Sequence, residues 1–455
     1  MASIDRRVGK AHRDPLGSAN ATGMSSARPS QPSLTPRRLG ALLLAVVVVA
    51  AAGCKGTFDN IIGVDPADRV SESALFDNPA QAELLTASAR AQFECALGTY
   101  ALATGLLVNE LNTLGSTQMF SLDSHQPDGA GGLAGQYGTG DCNADGGSVG
   151  VYVPLSSARW FADRVLEALE GWGDAEVPNR AVLIATVAAY SGFAHTLLGE
   201  GFCSMALDGG AELTPAQMFA LAETKFTGAI TAASGADAAD IVNMATVGRA
   251  RVRLNQGKTA EALVDALAVP PGYVKNATRG PGSTLRENQL YTNTVRDATA
   301  GLGPNYLDVR FNGVPDPRVP AVFLGPLTAG VLRYSQSKYA SESSPIPIAT
   351  GAEAQLIAAE IQGGQAAADV INELHAAVGL DPFSSSDPTE IRNHLVEERR
   401  RQFFLDGHRV WDKIRLDLPL DPAPGTPYRW GGVHGSAKCL PLPDIERDNN
   451  GNFPH

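Results

Sequence analysis

The stretch richest in reactive side chains runs from Leu395 to Arg415, LVEERRRQFFLDGHRVWDKIR. Five consecutive charges, Glu397 through Arg401, precede Asp406, His408, Arg409 and Asp412, so carboxylate, imidazole and guanidinium groups lie close enough in sequence for acid–base chemistry or anion binding. Their spacing argues for another role. Ile391, Leu395 and Phe403, with Val396 and Phe404, make an apolar stripe, and Glu397, Glu398, Arg400 and Arg401 then fall mostly on solvated faces of the same helix, where ion pairs form. The Asp406-Gly407 turn lets a short second helix, HRVWDKIR, pack Trp411 against the first. Asp406, Arg409 and Asp412 are placed to tie that corner with charge-assisted hydrogen bonds.

Other chemistry is sparse. No G-x-S-x-G, phosphate-binding loop, H-E-x-x-H or paired C-x-x-C occurs. The eight histidines are scattered, none with a second His at metal-ligand spacing, and His195 on an apolar helix reads as a core residue bonded to backbone. Asp141, Asn143 and Asp145 with Gly146 match the first half of an EF-hand loop, but Tyr152 stands where the closing Glu belongs and Cys142 interrupts. The stretch reads as a Gly/Asp-rich surface turn ahead of a calcium site. No catalytic residue and no cofactor are expected.

The elements that must carry these residues are mostly helices. Asn78-Pro79 starts one expected to run past 30 residues, with Leu85, Phe93, Leu97, Tyr100, Leu107 and Leu111 at helical spacing. From Gly115 to Gly150, Gly, Asp, Gln and Ser dominate, which predicts a long surface loop. Helical patterns resume at Ser156, Asn179 and Thr214-Pro215, then across Ala238 to Leu267, where small residues and a Gly-Lys turn resemble a tetratricopeptide hairpin. Such hairpins bury their apolar faces only by stacking. Between Pro270 and Thr350 the chain turns irregular, with short strands at RVPAVFL and VLRYSQSKY. Helices return at Thr350, where Thr350 and Glu353 have capping-box spacing, at Ala366 and at Asp387-Pro388. The expected class is mostly all-α: tetratricopeptide-like hairpins packed with further helices, plus long loops and a few short strands.

At 455 residues, 44% hydrophobic and 18% charged, the chain can bury a large core. Its net charge of −12 opposes nucleic-acid binding, which needs a basic surface. Residues 1–53 combine a basic, Ser/Pro-rich leader with an uncharged run, Leu39 to Gly53, too short to span a bilayer, and read as a signal peptide; Met24 is a second candidate start. Ala51, Ala52 and Gly53 before Cys54 resemble the lipobox of bacterial lipoproteins, the alternative being an ordinary secreted protein. An acylated Cys54 would hold the chain to a membrane by lipid, with residues 54–77 as a tether. Cys95, Cys142, Cys203 and Cys439 suggest two disulfides in any of three connectivities, or a buried free Cys95.

In combination these residues resemble the SusD/RagB-like nutrient-uptake lipoproteins of bacterial outer membranes. The resemblance is carried by EERRRQFFLDGHRVWDKIR, by CLPLPDIERDNN with Glu446 and Asn450, by the helices TGAEAQLIAAEI and VINELHAAVG, and by VPDPRV (Val314 to Val319) and SKY (Ser337 to Tyr339). Asp406 stands where Glu is commoner. The resemblance implies a single domain over residues 78–455, with tetratricopeptide-like helices at about 156–270, an irregular ligand-side segment at about 271–349 and the C-terminal signature at about 350–455. It also implies a surface lipoprotein that binds an oligosaccharide, or a peptide, and caps a SusC-like TonB-dependent transporter. A scaffold lipoprotein of envelope assembly and an exported hydrolase are the alternatives.

The family offers no fixed ligand motif, so ligand residues are sought by chemistry: aromatic planes for sugar ring faces, amides and carboxylates for hydroxyls. Phe120, Asp123, Gln126 and Tyr137 in the long loop, Tyr306 and Tyr334 in the irregular segment, and Trp430 in TPYRWGG are the candidates.

Overall fold

The computed structural model describes residues 75–130, 135–143, 149–327 and 331–453. The leader, Cys54 and most of the tether lie outside them, as does Asp145. Asn78 opens the first helix as its composition predicts: its side chain accepts the Ala80 N–H at 3.1 Å and Pro79 takes the first position. One 3-10 turn later the chain continues as α1 (Ala82–Leu107), which is buried along most of its length.

Four helices follow the long connection: α2 (Tyr152–Gly171), α3 (Arg180–Gly201), α4 (Pro215–Gly235) and α5 (Ala239–Asn255), closed by α6 (Thr259–Ala268). The α4 start is a reciprocal capping box between Thr214 and Gln217. Successive helices pack on one another from α2 to α6, the stacked-hairpin arrangement expected from the sequence. Small residues set the crossings. A Cβ at Gly192 of α3 or Gly248 of α5 would lie 2.6 and 2.4 Å from the ring of Phe226 on α4, so both glycines make room for one phenylalanine. Helix α3 has the length and composition of a membrane span, yet 72% of its most apolar window is buried inside the protein. His195 sits here, Nδ1 2.9 Å from the Ser191 carbonyl, in the core role its surroundings predicted.

The irregular segment forms small antiparallel ribbons. β1 (Leu111–Thr113) pairs with β3 (Ala300–Leu302), β2 (Val274–Ala277) with β8 (Ile346–Thr350), β4 (Arg310–Phe311) with β5 (Val314–Pro315), and β6 (Ala321–Pro326) with β7 (Leu332–Gln336). In the last, Phe323 stands opposite Tyr334. The C-terminal helices are α7 (Gly351–Gln362), α8 (Gly364–Ala377), α9 (Pro388–Gln402) and α10 (Arg409–Arg415). At the α7 start Thr350 accepts the Glu353 N–H at 3.0 Å, but the Glu353 side chain lies buried near Arg251 instead of returning to the cap.

The region from 115 to 150 departs from the surface loop expected of it. Met119, Leu122, Asp123, His125 and Tyr137 are buried, and two disulfides hold the surrounding chain: Cys95–Cys142, from α1 to this segment, and Cys203–Cys439. Its low apolar content misleads because burial here is achieved by hydrogen-bonded polar groups and a covalent tie, which periodicity does not register. Cys95 is therefore bridged, not free.

Candidate functional site

The charged stretch at 395–415 is less solvated than its spacing suggests. Glu398, Arg399 and Arg401 are buried on α9, while Glu397 and Arg400 are half-buried and pair with each other at 2.7 Å. Amphipathic counting missed this because the partners come from distant segments. Arg318 holds Asp316 through two hydrogen bonds, Nε to Oδ1 at 3.0 Å and Nη2 to Oδ2 at 2.7 Å, and also bonds both oxygens of Glu398, while Arg401 lies 3.5 Å from Asp316. VPDPRV is thus the counter-charge of the signature helix.

SKY does the same for the corner. Lys338 donates to Asp406 at 2.7 Å and to the Phe404 carbonyl, and the Tyr339 hydroxyl also donates to Asp406. Asp412 accepts from Arg399 at 2.7 Å and Arg415 at 3.1 Å. Arg409, expected in this tie, is buried with Nε and Nη1 making no hydrogen bond among the described residues. Trp411 packs edge-on against Phe219 of α4, 4.9 Å between centroids, where packing against the preceding helix was the expectation.

Burial alone would raise the carboxyls of Asp316, Glu398 and Asp412. Hydrogen bonds and charge from their arginines, with His375 bonded to Glu398, outweigh it and hold all three below the usual range. A cleft of about 480 Å³ opens beside this network, lined by Arg318, Lys338, Glu353, Asp406 and His408. Its charges are spoken for by one another, which leaves little for a ligand.

A second cleft, about 570 Å³, has the opposite character. Asn112, Leu114, Leu302, Leu332, Tyr334, Arg429 and Trp430 line it, with few of the ion pairs that fill the first. Trp430 stands on a tight turn, where Tyr428 N–H bonds the Gly432 carbonyl at 3.1 Å and His434 N–H bonds Thr426 at 2.8 Å. Gly431 and Gly432, at φ +112° and +78°, supply the left-handed backbone that turn requires. The indole stacks on Phe120, 5.6 Å between centroids and 12° between planes, and Phe120 meets Tyr428 edge-on at 6.1 Å. Trp430 is 37% exposed, so one aromatic ledge is partly open to solvent. Across the cleft Tyr334 is flanked by Phe323, 5.0 Å away and 54% exposed.

Asp123 supports the ledge from below. It accepts from the Tyr428 hydroxyl at 2.8 Å and the Asn112 amide at 3.0 Å, and burial pushes its carboxyl up to about 7 against the pull of those bonds.

The structure therefore puts Tyr334 and Trp430 in one cleft, with Phe120 stacked on the indole, and separates the rest. Asp123 is fully buried, where it supports Tyr428. Gln126 is exposed but does not line the cleft. Tyr137 is a core residue whose hydroxyl donates to the Pro441 carbonyl at 2.8 Å. Tyr306 is buried too, stacked on Phe404 at 5.2 Å with the Arg400 guanidinium 4.9 Å from its centroid. Composition could not separate them, since Tyr serves equally in a core with one hydrogen bond and on a wet face. Phe323, Tyr428, Arg429 and Asn112 went unassigned; the apolar run AVFL on an edge hairpin was the available signal for Phe323. In the EF-hand-like stretch Asp141 accepts the Asn143 N–H at 3.0 Å, and Tyr152 is buried, its hydroxyl donating to Glu446 at 2.6 Å, so it closes no loop.

No family model matches the sequence, and no curated protein matches it either. The fold is of a known class: it is the SusD-like fold, as the signature residues lead one to expect. A SusD-like carbohydrate-binding protein from Bacteroides vulgatus is similar at 13% identity with a TM-score of 0.60, over 83% of this chain and 97% of that one. A SusD superfamily protein from Parabacteroides distasonis gives 11% and 0.61, over 82% and 98%. Surface glycan-binding protein A from Bacteroides thetaiotaomicron gives 15% and 0.60 over 83% and 98%, and its complex with laminarihexaose 14% and 0.58 over 82% and 98%.

Proposed function

We propose that the protein is a surface lipoprotein that binds an oligosaccharide and passes it to a TonB-dependent outer-membrane transporter, acting by binding and not by bond cleavage. The observation that carries this reading is the Trp430 indole, stacked on Phe120, in an open cleft of about 570 Å³ that Tyr334, Arg429 and Asn112 also line. Aromatic planes pack on the apolar faces of sugar rings, and the neighbouring amide and guanidinium groups suit hydroxyls. The laminarihexaose complex of the glycan-binding neighbour supports a carbohydrate ligand for this fold. Anchoring would come from Cys54, which a Cys54→Ser variant tests by its release from the membrane fraction.

The direct test is calorimetric titration of the soluble chain from about residue 57 with a panel of oligosaccharides, starting with laminarihexaose, beside a peptide panel. Trp430→Ala is expected to weaken glycan binding about tenfold or more, ~1.4 kcal/mol, with an unchanged melting temperature. Binding confined to peptides would remove the sugar; undiminished glycan binding by Trp430→Ala would remove this cleft. Co-purification of a plugged β-barrel with the anchored protein tests the transporter.

A further inference from the structure

His394 and Glu398 lie four residues apart on α9, so both project from one face. His375, in the last turn of α8, meets them there. Its Nε2 is 3.1 Å from Oε2 of Glu398 and 3.5 Å from Nε2 of His394, and one donor atom from each residue lies within 4.8 Å of the other two. Sequence spacing hides this meeting, because the two histidines come from different helices.

Proton bookkeeping makes the cluster unusual. Nδ1 of His375 is 2.8 Å from the Asp381 backbone carbonyl, which can only accept, so a neutral His375 carries its proton on Nδ1. Its Nε2 lone pair then faces a second imidazole nitrogen and a carboxylate oxygen. In that tautomer Nε2 of His375 and Oε2 of Glu398 present lone pairs to each other beside Nε2 of His394, an arrangement that a shared proton or a cation at the centre stabilises.

The separations fit a particular cation. With bonds of about 2.0–2.1 Å, two ligand atoms of a tetrahedral zinc site stand roughly 3.3 Å apart, and 3.1 and 3.5 Å bracket that value. The Asp381 carbonyl on Nδ1–H is the outer partner that fixes a metal-binding imidazole. Aromatic rings hold the ligands in place. Phe383 stacks on His394 at 4.2 Å, and Phe311 meets His375 and His394 edge-on at 4.5 and 5.2 Å. Asn372 fixes Phe383 in turn, bonding its N–H at 2.7 Å and its carbonyl at 3.1 Å. Arg318 also bonds Glu398, but Asp316 offsets its charge, so a divalent ion does not face an uncompensated guanidinium.

We propose that His375, His394 and Glu398 bind a divalent transition-metal ion, zinc by ligand type, with the fourth position left to water beside half-buried His394. The ion would pin α8 to α9, the helix that carries the signature charges, more than 10 residues of chain away from any cysteine and with no part in the aromatic cleft. Two imidazoles and a carboxylate favour zinc over calcium or magnesium, which prefer all-oxygen sites.

The test uses the untagged chain from about residue 57, stripped with a chelator and titrated with Co²⁺ and then Zn²⁺. Expected are a visible ligand-field band that saturates at one equivalent of Co²⁺, its displacement by Zn²⁺, and a melting temperature raised by Zn²⁺. His394→Ala, at the half-buried edge, is expected to stay folded and lose affinity at least about 100-fold. His375→Gln is the second variant, read in the same way wherever its circular dichroism matches wild type. Absence of saturable Co²⁺ binding, or binding that survives in His394→Ala, would overturn the site. Stability that falls as pH rises, with no response to metal, would assign the cluster to a shared proton instead.

Discussion

Asp123 is fully buried beneath the aromatic ledge, and its hydrogen bonds, from Tyr428, the Thr113 backbone and Asn112, offset only part of the cost of burying its charge. With its carboxyl pushed up to about 7, the native state keeps a proton that the unfolded chain has already released above about pH 4. Stability should therefore fall as pH rises through that window and be flat above it. Asp123→Asn removes the ionisation, so the stability difference between wild type and variant should change by at most ~1.4 kcal/mol per pH unit between about pH 4 and 7, in the variant's favour with rising pH. Urea unfolding at pH 5, 6, 7 and 8 reads that slope, and parallel curves would show that Asp123 stays ionised. Phe120 sits one contact further out, between Tyr428 and Trp430. Phe120→Ala should weaken oligosaccharide binding by tilting the indole while costing less stability than loss of Tyr428, a comparison that titration and melting of both variants would settle.

At the scale of elements, helix α9 owes its position to charges supplied from the turn after β5, and the corner that follows it to the segment just past β7. Asp316 is buried between Arg318 and Arg401, and its carboxyl is held low, so its contribution is present at neutral pH and lost as pH falls through its depressed native value. Asp316→Asn leaves two guanidiniums short of a partner and should cost roughly 3–5 kcal/mol, with glycan affinity of the folded fraction unchanged. Denaturant melts and titration of one preparation would separate the two effects, and a stable variant that no longer binds would move the ligand site to this network. The helices were legible because caps such as Asn78-Pro79 and Thr214-Pro215 and the apolar spacing are local features. What the spacing of α9 could not reveal was that Glu398 and Arg401 are buried, since their partners lie about 80 residues upstream on Arg318 and Asp316. The same limit applies to the cleft. Trp430, Tyr334 and Phe120 have the chemistry of a sugar site, but only the fold distinguishes them from Tyr137 and Tyr306, which have equal chemistry and are buried away from that cleft.

For the whole molecule, the cleft depends on a C-terminal segment that returns to the helical stack. Leu440 N–H bonds the Gly201 carbonyl at 2.8 Å, Cys203 N–H bonds the Leu440 carbonyl at 2.9 Å, and the Cys203–Cys439 disulfide locks that crossing just past the turn that carries Trp430. Nearer the ledge, Gly435 N–H bonds the Ser124 carbonyl at 2.7 Å, so the segment spans from the end of α3 to the chain around Phe120. The two disulfides close loops of very different size, with sequence separations of 236 and 47. In the loop-entropy picture the larger restrains the unfolded chain more, by (3/2)RT ln(236/47), or ~1.4 kcal/mol. Cys203→Ala/Cys439→Ala should thus lose more stability than Cys95→Ala/Cys142→Ala. It should also weaken glycan binding in the folded state, because the turn bearing Trp430 is then held without a covalent tie, by hydrogen bonds and packing. Guanidinium unfolding of both double variants, with titration of the same preparations, checks both parts. Equal losses of stability would mean that strain or residual structure outweighs loop entropy, whereas intact binding without the Cys203–Cys439 bond would mean that the hydrogen bonds at Ser124 and Gly201 suffice to seat the ledge.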